Sequence, residues 1–388
     1  MFLRCPVIIL YSMFAAVTYG GTVEIIRQQF EIYQRFPGEI EILTTEDIHE
    51  IDNVLARTEV KRLAARKELD KALVERQPVK DLPSPLFAED YTVPLVHYVA
   101  VERGFALRSL QQGKLDDTVQ SIRYVYRLAE ELSHAGSLEL RAAAARFRLQ
   151  ILETAQSLLL HPHCRLEHQE ALHSIFREQI TRRTTDAAIW TRYQEEGKQF
   201  FRGIGTHGLG KMVSPDLLKE LWDRDAFREY EKALAHRAAH DQLVFIKVSS
   251  AVIESCSVPY FQRHSVLQQL EMELREHRGV ASEPVFALLL LRNVSQLMQL
   301  FAKERSGIEL AYLTLSVALD KQRQEKMLNF LTGKEYEIRL IPNGVMCTYE
   351  GNVKPFYVPY QIHRRRTGGV IFRNVPPMCL VVDHRRSF

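Results

Sequence analysis

Apolar residues recur at three- and four-residue spacing along most of this chain. Ile25, Ile26, Phe30 and Tyr33 open the pattern, and a helix is the element that gathers such a stripe on one side. Phe36-Pro37-Gly38 interrupts it. Thr44-Thr45-Glu46-Asp47 supplies a cap and an acidic first turn for the next helix, which carries Ile48, Ile51, Val54 and Leu55 and runs into the basic stretch Lys61–Lys67. The three prolines within 77–85 predict a linker. A helix over Val93–Leu110 is stopped by Gln111-Gln112-Gly113-Lys114. The next begins at Leu115-Asp116-Asp117 and has Val119, Ile122, Tyr126 and Ala129 on one face. Ser133–Ser137 turns the chain into the alanine- and leucine-rich helix Leu138–Leu160, followed by a shorter partner, Arg165–Ile180. Such hairpins stack because each buries its neighbour's apolar face.

The helical pattern continues beyond Ser214-Pro215-Asp216, where proline suits a first helical position. The segments are Asp225–His240, Gln242–Ser255, Ser265–Glu276, Glu283–Lys303 and Arg305–Gln324. The run Leu288–Leu291, closed by Arg292, is too short to span a membrane. From Leu331 the period changes to two. Tyr336, Ile338 and Leu340 alternate, Pro342-Asn343-Gly344 is a turn, and Val345–Tyr349, Phe356–Val358, Val370–Phe372 and Cys379–Val382 read as short strands. The expected fold class is mainly α, with stacked helical hairpins and a small C-terminal antiparallel β tail. The expected division is a leader over 1–21, a helical-hairpin body over 22–330 and a tail over 331–388 docked on that body. The body carries the linker at 77–85 and a glycine-rich break at 203–213.

Two stretches carry a resemblance. One is Ala311–Arg323 followed by Leu331-Thr332-Gly333-Lys334-Glu335-Tyr336, with Gly368-Gly369 beyond. The other runs from Gly136-Ser137-Leu138 to Gln169-Glu170-Ala171-Leu172. Together they resemble a family of exported or membrane-anchored helical proteins of planctomycete-type bacteria that end in a Thr-Gly-Lys-x-x-Tyr-like β tail. The resemblance implies an envelope location and this architecture; the family carries no established reaction. The chain departs from the family where Asp-Pro should precede Thr332, and where Arg364-Arg365-Arg366 replaces acidic residues before the glycines.

Composition narrows the classes. The 388 residues are 46% hydrophobic and 26% charged, enough for a sizeable core and against wholesale disorder. A net charge of +3 from 51 basic and 48 acidic residues lacks the clustered basic face that nucleic acid requires. Arg4 and the apolar run Pro6–Val17 fit a signal-peptide core. Three readings stay open: a cleaved signal, a retained anchor, or a buried first helix. Removing the leader takes Cys5 and leaves Cys164, Cys256, Cys347 and Cys379. These are compatible with two bridges in an oxidising compartment and equally with buried thiols.

Candidate chemistry is sparse. Gly203, Gly205 and Gly208 satisfy G-x-G-x-x-G, and Lys211 nearly completes a phosphate-binding loop. Met212 cannot hold magnesium, however, and no strand precedes the glycines. The segment is expected to be a flexible interhelical loop, with no nucleotide and no other cofactor. His161, His163, Cys164 and His168 are the densest set of ligand types for a metal, beside the plainer reading of a polar turn at Pro162. Arg364, Arg365 and Arg366 are candidates for contact with an anion or lipid head group. No G-x-S-x-G nucleophile elbow is present. The expected role is a non-catalytic envelope scaffold or binding module, partnered by an envelope protein or an anionic membrane surface. The alternative is a hydrolase or other enzyme whose site is assembled from distant residues.

Overall fold

A computed structural model describes residues 48–75, 88–134, 138–213, 234–276, 283–319, 328–350, 355–364 and 370–373, with isolated positions such as Phe227 and Tyr230 between 214 and 233. The leader, the linker at 77–85 and the run Cys379–Val382 lie outside the described residues. The protein is mainly helical, with a small antiparallel sheet near its C-terminus. In chain order the helices are α1 (Ile48–Glu75), α2 (Ala88–Gln111), α3 (Leu115–His134), α4 (Leu138–Leu160), α5 (Leu166–Thr181), α6 (Asp186–His207), α7 (Leu209–Met212), α8 (Leu234–Ser255), α9 (Tyr260–Glu276), α10 (Val285–Leu290) and α11 (Val294–Ala318). The strands are β1 (Glu337–Ile341), β2 (Gly344–Thr348), β3 (Phe356–Pro359), β4 (Gln361–Arg364) and β5 (Val370–Arg373).

Local chemistry sets the helix ends. Asp116 and Asp117 stand in the first turn of α3, where carboxylates meet the positive end of the helix dipole. Thr185 caps α6 by accepting a hydrogen bond from the Ala188 amide at 3.2 Å. Gly113 ends α2 with φ 71°, a left-handed conformation open to glycine. Asn293 adopts φ 62° between α10 and α11, so the break falls at 291–293 and α11 runs unbroken through Lys303-Glu304-Arg305. That differs from the sequence reading, which parted two helices at those charges. Likewise α8 is continuous across His240-Asp241-Gln242, because Asp241 is fully buried and does not turn to solvent.

The chain divides into two compact units. The first comprises residues up to Val101, Arg127–Ala145 and Thr184–Phe301. Its core is aromatic. Trp190 and Tyr193 meet edge to face at 5.7 Å, and Tyr193 and Phe245 at 5.9 Å. Phe286 takes Phe200, Phe227 and Tyr230 edge-on at 5.6, 6.2 and 5.3 Å. Such pairs contribute roughly 0.5–1.5 kcal/mol each beyond their buried area. Two polar tips inside the core find partners: Tyr193 Oη donates to the Leu290 carbonyl at 2.8 Å, and Trp190 Nε1 to Met298 Sδ at 2.8 Å.

The second unit comprises Glu102–Tyr126, Arg146–Arg183 and Ala302–Phe388. It holds a three-stranded antiparallel sheet in the order β1-β2-β3, in which Leu340 pairs with Val345, and Val345 with Val358. β4 and β5 pair separately. Gly344 closes the β1–β2 hairpin where any side chain would strike the Val358 carbonyl and the Tyr357 ring. Val345, Cys347, Phe356 and Val358 form the buried face, and Phe356 meets Phe176 of α5 edge-on at 6.4 Å. Leu340, read from the sequence as part of the apolar face, is 42% exposed.

Val285–Ala318, taken across the break at 291–293, is long and apolar enough to cross a membrane: it contains an 18-residue window of mean hydropathy 1.5, of which 56% is buried inside the protein. The sequence reading counted only the leucines before Arg292 and passed over it. The stretch also carries Glu304 and Glu309, both buried and ion-paired.

Candidate functional site

The glycine-rich segment is not the loop that the sequence suggested. α6 runs through Gly203 and Gly205 to His207, and the break is confined to Gly208, whose φ is 77° and whose amide donates to the Ile204 carbonyl at 3.0 Å. Each glycine costs a helix interior about 1 kcal/mol against alanine; burial of Phe200, Phe201 and Ile204 offsets this. A Cβ at Gly203 would meet Met212 Cε at 2.5 Å, the end of a flexible side chain that can shift. Gly208 caps the helix, and Gly205 faces open space.

The histidine cluster is a helix-to-helix turn. The His163 amide donates to His161 Nδ1 at 3.2 Å, and the two rings lie 5.5 Å apart. His168 sits on α5, its Nδ1 accepting the Arg165 amide at 2.9 Å and its Nε2 lying 3.3 Å from Asp116. Both ring nitrogens of His168 are therefore engaged. Cys164 is a buried free thiol whose pKa burial pushes up to about 12, the reverse of a metal-ready thiolate. No three His, Cys, Asp or Glu residues among the described ones are grouped to hold a metal. The three described cysteines, Cys164, Cys256 and Cys347, are unbridged. Arg364 ends β4, opposite Val370, while Arg365 and Arg366 lie outside the described residues.

The sequence reading missed the polar core of the second unit. Glu304 of α11 is 2% exposed and shared between two guanidinium groups. Arg148 Nη1 of α4 lies 3.3 Å from Oε1, and Arg183 Nη2 lies 2.8 Å from Oε2. Arg148 Nε also donates to Gln179 Oε1 of α5 at 2.8 Å. Tyr126 reaches the same region from α3; burial raises its phenol, Arg148 lowers it and Glu304 raises it again. Each oxygen of the carboxylate thus faces its own guanidinium group. One turn on, Glu309 accepts from Arg305 Nε at 2.6 Å and from Tyr336 Oη at 2.9 Å, which anchors the start of the sheet to α11.

The Thr332-Gly333-Lys334 run has a structural explanation through Asn329, another residue the sequence reading passed over. Asn329 Oδ1 accepts the amides of Leu331 and Thr332, both at 2.9 Å, and its carbonyl accepts the Gly333 amide at 2.8 Å. Gly333 takes φ 72° to close the turn. An asparagine followed by Thr-Gly within four positions is a turn signal that was legible.

One contact has the form of a nucleophile and its base. His173 Nε2 lies 3.0 Å from Ser316 Oγ, with the ring stacked on Tyr312 at 5.0 Å. Both groups are buried, Ser316 at 1% and His173 at 5% exposure. Ser316 also sits within α11, where the helix consumes the backbone amides that would otherwise form an oxyanion hole. Comparison with known protein families, with characterised proteins and with solved structures finds no match to this chain.

Proposed function

We propose that this chain is a non-catalytic envelope protein, carried there by its leader, that serves as a scaffold or binding module. The observation that supports this most is the sharing of Glu304 between Arg148 and Arg183. Its deepest charges stabilise the packing of helices instead of facing a substrate. The resemblance of the tail to exported helical proteins points to the same location. The envelope partner or anionic surface would be met by the exposed helical faces.

The second reading, a hydrolase, draws on the Ser316–His173 contact alone. Cells expressing the chain with a C-terminal tag can be fractionated after in-cell crosslinking. Recovery with membranes or in the exported fraction, crosslinked to a recurring partner, is the expected result. Recovery wholly in the cytosol would sink the envelope location. Ester or amide turnover by the purified chain, lost in Ser316→Ala at unchanged melting temperature, would establish the hydrolase instead.

A further inference from the structure

α10 and α11 follow one another with a break at 291–293, and the residues of that stretch contain no cause for it. No glycine or proline stands between Val285 and Leu300, and the leucines around the break favour helix. The spacing read from the sequence runs one helix from Glu283 to Lys303. The backbone departs from it at Asn293, whose φ is 62°. The Leu291 amide still donates to the Ala287 carbonyl, and the Leu297 amide to the Asn293 carbonyl, both at 2.9 Å. Among the described residues, no amide from 293 to 296 donates to the fourth carbonyl before it.

A kink without glycine or proline arises where a side chain enters the hydrogen-bond ladder. Two side chains enter here. Tyr193 of α6, fully buried, donates from Oη to the Leu290 carbonyl at 2.8 Å. A continuous helix would give that carbonyl to the Val294 amide. Glu271 of α9 accepts the Ser295 amide at Oε1, also at 2.8 Å. A continuous helix would give that amide to the Leu291 carbonyl. One bond of the ladder is thus taken from its acceptor side and the next from its donor side. The other end of α10 is held as well: Asp241 of α8 accepts the Phe286 amide at 2.9 Å, where Pro284 provides no side-chain cap.

We propose that α10 and α11 are one helix held open by Tyr193 and Glu271, a hinge that closes when those side chains let go. Closure restores the bonds from Val294 to Leu290 and from Ser295 to Leu291, and returns Asn293 to the right-handed region. The six residues of α10 are too few to hold a helix alone, so joining α11 stabilises them. Tyr193 is itself packed against Trp190 and Phe245, and Phe286 of α10 against Phe200, Phe227 and Tyr230. A shift of α6 or α9 that withdraws these bonds is therefore passed to α10, which swings about 291–293 and carries Phe286 out of its aromatic setting.

Hydrogen exchange on the full chain, followed in peptides covering 286–300, tests the hinge by the sign of the change. Tyr193→Phe keeps the ring and removes the donor, and Glu271→Ala removes the acceptor. In the double variant the amides of Asn293, Val294 and Gln296 should gain roughly ten-fold in protection, as the ladder reforms. Side chains that only brace the fold would leave those amides exchanging faster, or unchanged, once removed, and either result overturns the hinge. Asn293 is exposed and provides a second pair of variants that leave the core intact. Asn293→Ala disfavours the left-handed backbone of the break and should raise protection by roughly five-fold. Asn293→Gly accepts that backbone and should give no gain. Should the double variant fail to fold, this pair decides the matter: equal protection in the two, at similar melting temperatures, overturns the hinge.

Discussion

The side-chain amide of Gln156 exchanges two hydrogen bonds with the backbone of Tyr357. Nε2 donates to the Tyr357 carbonyl and the Tyr357 amide donates to Oε1, both at 2.8 Å. A helix residue thereby takes the place of a neighbouring strand along the open edge of β3. Gln169 of α5 continues the same edge, donating to the Pro359 carbonyl at 2.8 Å. An edge strand left unpaired is a template for association with other chains, and here two glutamines close it.

Gln156→Ala is expected to destabilise the protein by about 2–4 kcal/mol, from two lost bonds and a partly buried backbone left unpaired. A urea denaturation midpoint measures it. A midpoint equal to that of the wild type would mean that water replaces the amide fully. Gln156→Glu should be worse near neutral pH, where a carboxylate oxygen faces the Tyr357 carbonyl, and should recover in acid as the carboxyl regains a proton to donate.

Glu304→Gln is expected to cost about 3–5 kcal/mol, because it removes the charge of the buried carboxylate that Arg148 and Arg183 share. Adding Arg183→Gln to that variant should return part of the loss. Melting of both single variants and the double one gives the coupling, expected at roughly 1–3 kcal/mol. Strict additivity would show that Glu304 and Arg183 do not act together.

Gly197→Ala sets two effects against each other. Alanine favours a helix by about 1 kcal/mol over glycine, but a Cβ at 197 would run into the Phe245 ring. That ring is fully buried and held by Tyr193 and Phe201. Overpacking of this kind costs roughly 1–3 kcal/mol, so a net loss of stability is expected in thermal melts. Phe245→Leu in the same chain should relieve the clash. A variant more stable than wild type would show that the ring moves aside freely.

Much of the helical body was legible because its stripes are long. Val119, Ile122, Tyr126 and Ala129 were read as one face, and all four are at 4% exposure or less. The change to period two at the tail was equally plain, as β1 to β3 show. What misled was polarity. Lys303-Glu304-Arg305 and His240-Asp241-Gln242 look like solvated breaks, yet both lie inside helices. The partners that make their burial affordable stand far away in sequence: Arg183 is 121 residues from Glu304, and Phe286 is 45 from Asp241. Gln156 and Gln169 resembled ordinary surface residues for the same reason. Periodicity reports a residue's own helix and carries no information on a partner that only tertiary packing supplies.

The glutamine-closed edge also orders events during synthesis. Gln156 and Tyr357 are 201 residues apart, and Gln169 and Pro359 are 190 apart. Domains generally fold as the chain emerges, from the amino end onward. α4 and α5 therefore leave the ribosome long before β3 exists, with their amides solvated and the apolar face around Phe176 uncovered. A chain stalled before β3 would therefore leave that apolar face without the strand that covers it, and α4 and α5 must wait for β3 in an adhesive state.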